Sequence, residues 1–341
     1  MNFHPPVITF NLLYSLFLTT RTIKLNFMQK NLIIACFLIA IGYGCNVESN
    51  YSTEVNTLDV AEGYTLFSIS YNHENDGLLI ANHKGASKIF YKNEDLNDWE
   101  LIYSNDEQTL HDIVFLDNSS AITVGNGGLI LKTINSGRSW RTINVDTNLP
   151  LFSIAFYDSQ NGVIVGRNGK ILLTNDGGEE WWESDNEHPY FLRDVDYVNE
   201  NELFAVGYSG TILRSFDKGV NWTENSIDLN ENLSSIIFLN SSTGVAVGQN
   251  GLVIRTIDGG NTWSQINVNS KRSFLGVHFV DQNYGYISGF GGTVLRSFDG
   301  GLTWESVTTG TNHALYDVLV NSNHSVTLVG EYGTIIDLNK K

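Results

Sequence analysis

The side chains best suited to chemistry in this sequence are carboxylates and arginines, and most of them recur at a fixed step. Asp176, Asp217, Asp258 and Asp299 stand 41 residues apart, inside TNDGGEEW (174–181), SFDKGVNW (215–222), TIDGGNTW (256–263) and SFDGGLTW (297–304). Degraded copies are TINSGRSW (133–140) and KNEDLNDW (92–99). Asp112, Asp194 and Asp317 share a second position of the same frame, with Asp196 two residues on. Paired carboxylates of that kind are what a glycosidase uses. Arg214, Arg255 and Arg296 repeat at a third position, whereas Arg167, Arg193 and Arg272 do not follow the step. The eight histidines show no metal-binding spacing, and no Gly-rich strand-to-helix phosphate loop is present.

The elements that must position these residues follow from the period. Trp99, Trp140, Trp181, Trp222, Trp263 and Trp304 keep the 41-residue step, as do Gly125, Gly166, Gly207, Gly248, Gly289 and Gly330. One unit, 151–191, reads as strand A (152–156), strand B (163–165), strand C (171–174) and strand D from Trp181, separated by Gly/Asn/Asp turns. Four strands per repeat of about 40 residues make a propeller blade. No apolar pattern of period 3.6 runs long enough for a helical solenoid. Strand A begins at Leu66, Leu110, Leu151, Leu192, Leu233, Phe274 and Leu315, so the prediction is an all-β, seven-bladed propeller. The seventh repeat ends before a Trp, and Val55, Leu58 and Val60 stand where a strand D should precede Leu66. The N-terminal segment is therefore expected to complete the last blade and close the ring. Residues 54–341 read as one domain, and 46–53 as a polar tether.

This topology sorts the residues by face. The Asp-bearing C–D turns radiate one per blade around the rim and do not converge. Their role is structural: the Asp accepts turn N–H groups, Gly supplies positive φ, and Trp181, Trp222, Trp263 and Trp304 pack into the blade. The arginines repeated at the end of strand C suit pairing with neighbouring carboxylates and form a secondary candidate surface. The strand-A acids are expected to bond turn N–H groups of the next blade. The B–C turns and D–A loops share the opposite face. There the freely varying positions offer Arg167, Tyr208, Phe290 and Tyr332, joined by Arg272 and by Arg193 just inside strand A. Arg and Tyr are enriched at protein interfaces, so this face is the candidate partner surface.

The Ser/Thr-x-Asp-x-Gly-x-x-Trp segments are those of the Asp-box, or BNR, repeat of sialidase-like propellers. With the preceding Val-Gly-x-x-Gly, clearest at 247–263 and 288–304, the repeat resembles the photosystem II assembly and stability factor family over residues 66–341. That resemblance implies a non-catalytic chaperone or scaffold that binds a protein partner, uses an arginine-rich surface and needs no cofactor or metal. The alternative within Asp-box propellers is a glycan binder or a sialidase-like glycoside hydrolase. No Arg-Ile-Pro signature of sialidases occurs, and xyloglucanase-type enzymes pair two such propellers where this chain has room for one.

Charge and the N-terminus complete the picture. The chain holds 20 Lys+Arg against 37 Asp+Glu, and three of its basic residues lie before residue 45, where no acid occurs. Such acidity argues against nucleic acid and against adsorption to anionic lipid. Residues 1–45 read as an export signal: Lys30 precedes the apolar run Asn31–Ile41, small residues follow, and Met28 is a natural start. The only cysteines are Cys36 and Cys45, and Cys45 resembles the acylated cysteine of bacterial lipoproteins. The expectation is an exported envelope protein, monomeric and touching membrane through a lipid at Cys45. Cys45→Ala should then move the protein from membranes to the soluble fraction and abolish palmitate labelling. An intact mass showing an unmodified N-terminus at Asn46 or beyond would contradict this.

Overall fold

The computed structural model describes residues 51–58, 63–93, 96, 98–225, 227–320 and 324–340. The export signal, Cys45 and Val60 lie outside the described residues. Seven four-stranded antiparallel sheets form a ring. The first blade comprises β2 (Thr65–Tyr71), β3 (Gly77–His83), β4 (Ala86–Lys92) and β5 (Glu100–Asn105). Within each blade, A, B, C and D run outward in chain order. The last blade is the exception. Its strands β26 (Leu315–Val320), β27 (Val326–Gly330) and β28 (Thr334–Lys340) are joined by β1 (Tyr51–Thr57), in the order β1-β28-β27-β26. The closing strand pairs Tyr51 with Lys340 and Thr57 with Thr334. It therefore starts at Tyr51, so residues 51–53, expected to belong to a tether, are part of the strand.

The core is a series of inter-blade layers. Strand B is buried along its whole length in blades 2 to 7, for instance Gly162–Gly166 and Gly244–Gly248, and in blade 1 up to His83. Val163, Val165, Ile171 and Leu173 of one blade pack with Leu192, Val195, Leu203, Ala205, Leu213 and Trp222 of the next. The same arrangement closes the ring: Leu58 and blade 1 residues Leu66, Ile69, Leu79 and Phe90 pack with Val329 and Ile335 of blade 7. A single blade could not bury these apolar faces alone.

The periodic glycine at the end of strand B answers a close approach. Gly166 is extended, and a Cβ there would lie 2.4 Å from the Pro150 carbonyl oxygen, which accepts the N–H of Arg167. That contact holds the B–C turn against the D–A loop, so both belong to one face. At the other end of the blade the C–D turn bonds the A–B turn, as in Gly177 N–H to Gln160 O (2.9 Å).

Removing residues 46–58 strips β28 of its outer partner and uncovers Ile335 and Val329. A loss of several kcal/mol is expected, lowering the melting temperature by about 10 °C or more, with aggregation through the bare strand edge. Removing 46–50 alone should leave melting unchanged. Equal melting of the two truncations would show that closure by β1 contributes nothing.

Candidate binding surface

The Asp-box turns are self-contained. In each intact copy the Ser/Thr hydroxyl donates to the Asp and accepts a Gly N–H: Thr174 Oγ1 to Asp176 Oδ1 is 2.8 Å, and Gly178 N–H to Thr174 Oγ1 is 2.9 Å. The carboxylate then takes the N–H groups of the following residues, Glu179 and Glu180 for Asp176, Asn221 for Asp217, and Thr262 and Thr303 for Asp258 and Asp299. Hydrogen bonds to the ionised form hold all four acids below the usual carboxylate range, against partial desolvation at Asp176, Asp217 and Asp299. Asn135 reproduces the geometry in the degraded second copy. Gly178 (φ 80°) presses on the preceding blade, where a Cβ would meet Ile122 at 2.3 Å. Trp222 and Trp304 donate Nε1–H to Gly219 and Gly301 carbonyls, and Trp181 and Trp263 stand edge-on to Phe156 and Phe238.

Two of the three repeated arginines serve the same contact. Arg214 pairs with Glu202 and donates to Asn261 of the next blade's Asp-box (2.8 Å), and Arg255 donates to the Gly300 carbonyl of the box after it (2.7 Å). Arg296 pairs with Glu305 on its own strand D. Lys132 takes this role in blade 2, reaching Gly177 O and Glu179 at 2.7 Å. Lys132, Arg214 and Arg255 thus fasten neighbouring blades together, whereas Arg296 braces strand C to strand D within one blade.

The opposite face is different. Rings at the start of strand A crowd the mouth of the central channel in one unbroken chain of contacts. Tyr208 stacks on Phe191 (4.2 Å), Phe191 on Phe152 (4.7 Å), Phe152 meets His111 (5.0 Å), His111 meets Phe67 (6.4 Å), Phe67 meets Tyr316 (4.7 Å), and Tyr316 meets Phe290 (6.4 Å). The guanidinium of Arg193 lies 5.2 Å from the centre of the Phe152 ring and makes no ion pair among the described residues. Burial first, with the nearby Arg193 charge adding to it, pushes His111 below the ordinary imidazole value. Asn126 Nδ2 donates to Thr109, so the Asn126 oxygen accepts from His111 Nε2 (2.9 Å), which fixes the tautomer.

Of the six residues expected to bind a partner, the structure gathers three, Arg193, Tyr208 and Phe290, on this arc. Arg272 adjoins it, lying so close over Gly291 that a Cβ there would sit 2.1 Å from Nη1. With Lys271 and Asn269 it lines a pocket of about 410 Å³. Arg167 is exposed at a turn tip, and Tyr332, left-handed at φ 56°, meets His313 at a tilt outside the arc. Phe67, His111, Phe152, Phe191 and Tyr316 were not among the expected residues. All but Phe191 occupy the position directly after the first residue of strand A, which is also the position of Arg193, so the repeat frame contained the signal.

Below the mouth, the ring position two residues into strand A reads Ser68, Asp112, Ser153, Asp194, Ser235, Gly276 and Asp317. Ser68 donates to Asp112 (2.9 Å) and Ser153 to Asp194 (2.8 Å). Asp112, Asp194 and Asp317 accept the N–H of Ile154, Ile236 and Ile69 from the next blade at 2.8–3.0 Å. These donors are strand-A amides, not the turn amides expected from the sequence; the blades lie close enough that inner strands bond directly. A second tier follows, with Phe238 N–H on Asp196 (2.6 Å) and Val320 N–H on His278 Nδ1 (3.1 Å). Every carboxylate here is engaged in holding neighbouring blades. Among the described residues no group of three or more His, Cys, Asp or Glu is arranged to hold a metal ion.

The family model for photosynthesis system II assembly factor YCF48 matches residues 133–190, 182–257 and 256–337, more than half of the chain. No curated protein matches by sequence. Among solved structures, YCF48 bound to a D1 peptide is similar with TM-score 0.71 and 18% identity, over 85% of this chain and 95% of that one. YCF48 from Cyanidioschyzon merolae gives 0.69 and 17%, over 84% and 98%. The Niastella koreensis GH74 enzyme gives 0.68 and 13%, over 83% of this chain and 53% of that one. At these identities the likenesses to solved structures speak for the fold alone.

The channel acids make stability depend on pH. Desolvation pushes Asp112 up to about 6 and Asp196 and Asp317 up to about 7 from 3.8, against the pull of their N–H donors. Their folded pKa values are raised, so their contribution is full below about pH 4 and lost as pH rises to about 7. His278, held at about 4 by burial, acts oppositely, its contribution falling away below pH 6.5. Asp194 is pushed up by burial in the same way, and four acids against one base should make the melting temperature fall between pH 5 and pH 8. Asp317→Ser, which installs the residue found at three other ring positions, should shrink that fall. An unchanged profile would show that Asp317 does not titrate in this window.

Proposed function

The chain belongs to the photosynthesis system II assembly factor YCF48 family, and from that premise we propose that it is a non-catalytic platform whose B–C/D–A face holds an extended segment of a protein partner. The observation carrying this reading is the unbroken arc of seven rings with Arg193 laid across it, on a molecule of net charge −17. Aromatic rings at a channel mouth give an extended chain successive apolar seats at low entropic cost. Arg193, Arg272 and Arg167 would steer an acidic segment there while the rest of the surface repels it. The similar YCF48 structure that contains a D1 peptide supports the same kind of ligand. A catalytic role is disfavoured because the convergent carboxylates are all engaged between blades. In this reading the protein is exported, monomeric, free of cofactor and fixed to the envelope membrane by a lipid on Cys45.

The test is binding of the purified chain to an array of acidic and neutral peptides, with a glycan array beside it. Anchors of this type cost about 2 kcal/mol on truncation, about thirtyfold in affinity. Arg193→Ala combined with Tyr208→Ala should therefore remove peptide binding without changing melting, whereas Asp158→Lys with Asp281→Lys on the opposite face should not. Binding confined to glycans, or peptide binding lost only with the second pair, would overturn the proposal.

A further inference from the structure

The face away from this arc carries a feature that the Asp-box geometry does not require. The residue between Ser/Thr and Asp in each box points outward, and in most copies it is large and apolar. Phe216 is 61% exposed, Ile257 69% and Phe298 53%, in blades 4, 5 and 6. Val220 and Leu302, on the same turns, are also exposed, Leu302 at 56%. Arg214 and Arg296 lie over the Phe216 and Phe298 rings at 4.2 and 4.6 Å, fixing them in place. A run of exposed apolar side chains along one rim is a surface that water disfavours and that marks an interaction site.

The chain itself indicates what lies against this rim. β1 enters blade 7, next to blade 6, and its first residue Tyr51 pairs with Lys340. Lys340 ends a strand that leaves the B–C turn at Glu331–Gly333, so Tyr51 lies on the Asp-box face, beside the apolar run. Six peptide steps separate Tyr51 from Cys45, which at full extension span only about 20 Å. The membrane attachment proposed at Cys45 would therefore hold this face, and not the aromatic arc, close to the bilayer.

We infer that the Asp-box rim of blades 4 to 6 rests on the membrane, with Phe216, Ile257, Phe298 and Leu302 seated in the interfacial zone of a zwitterionic lipid surface. Asp217, Asp258 and Asp299 stand among these side chains and are kept ionised by their N–H donors, so an anionic surface would repel the same rim. The contact is too small to anchor a protein on its own and acts as the second element of a two-part attachment, setting orientation. It concerns the face opposite the proposed partner site and rests on the membrane attachment, not on the partner reading.

The experiment uses the processed chain isolated from membranes and reconstituted in phosphatidylcholine vesicles. Residues 46–341 hold no cysteine, so a fluorophore can be placed by Ile257→Cys or, on the opposite face, by Ser209→Cys. Nitroxide-bearing lipids should quench the label at 257 and leave that at 209 untouched. Phe216→Ser with Phe298→Ser should abolish the quenching at 257 while melting is unchanged. Equal exposure of both labels, quenching at 209, failure of the chain to associate with the vesicles, or persistence of quenching in the double variant would overturn the inference. So would shielding of the 257 label without lipid, which would assign the rim to a second copy of the chain. Intact mass reports the state of Cys45 separately, and the peptide array reports the partner face.

Discussion

A four-stranded blade with apolar residues on both faces cannot exist alone in water, and that constraint shapes everything else in this protein. Strand B is buried from end to end in six blades and over all but its last residue in the first, so each blade must be sandwiched by two others. Only a closed ring satisfies that requirement for all of them. The hydrogen bonds between inner strands, the Asp-box glycines pressed on the preceding blade, and the cations reaching from strand C to the next box all operate at the same junction. They differ in radius: amide-to-carboxylate contacts at the channel, apolar packing midway, Asp-box contacts at the rim.

This explains how structure and function are divided among positions. Residues that recur at every step, such as the box Asp and Trp or the strand-B glycine, serve the junction that every blade must make. Residues that break the step are released from it. Arg193, Phe152 and Tyr316 sit at one position, yet that position is Ser234 or Leu275 in other blades, and this variation builds an asymmetric mouth on a symmetric frame. A ring of identical blades would present the same chemistry seven times and could not distinguish one end of an extended ligand from the other.

The fold was legible because its information is periodic: six tryptophans and six glycines keep one frame. The entry strand was legible through Val55 and Leu58, though its true start at Tyr51 was hidden because Tyr-Ser-Thr reads as polar tether when its partner lies almost 290 residues away. Arg193, Tyr208 and Phe290 were legible as departures from the frame on a loop face. Phe67, His111 and Phe152 were passed over because attention to turn tips overlooks the first residues of strand A, which a β-bulge turns toward the channel mouth. The partners of Asp112, Asp194 and Asp317 were not legible, since hydrogen bonds across blades have no local signature in sequence.

The pairing of β1 with β28 also sets an order of events during synthesis. The first strand of the fold emerges from the ribosome well before the strand it must join, and every other blade can assemble while blade 7 stays open. The apolar face shared by Leu58, Val329 and Ile335 is buried only once the last residues of the sheet arrive. Closure of such a ring waits on a contact between strands almost 290 residues apart in sequence, which makes it slow.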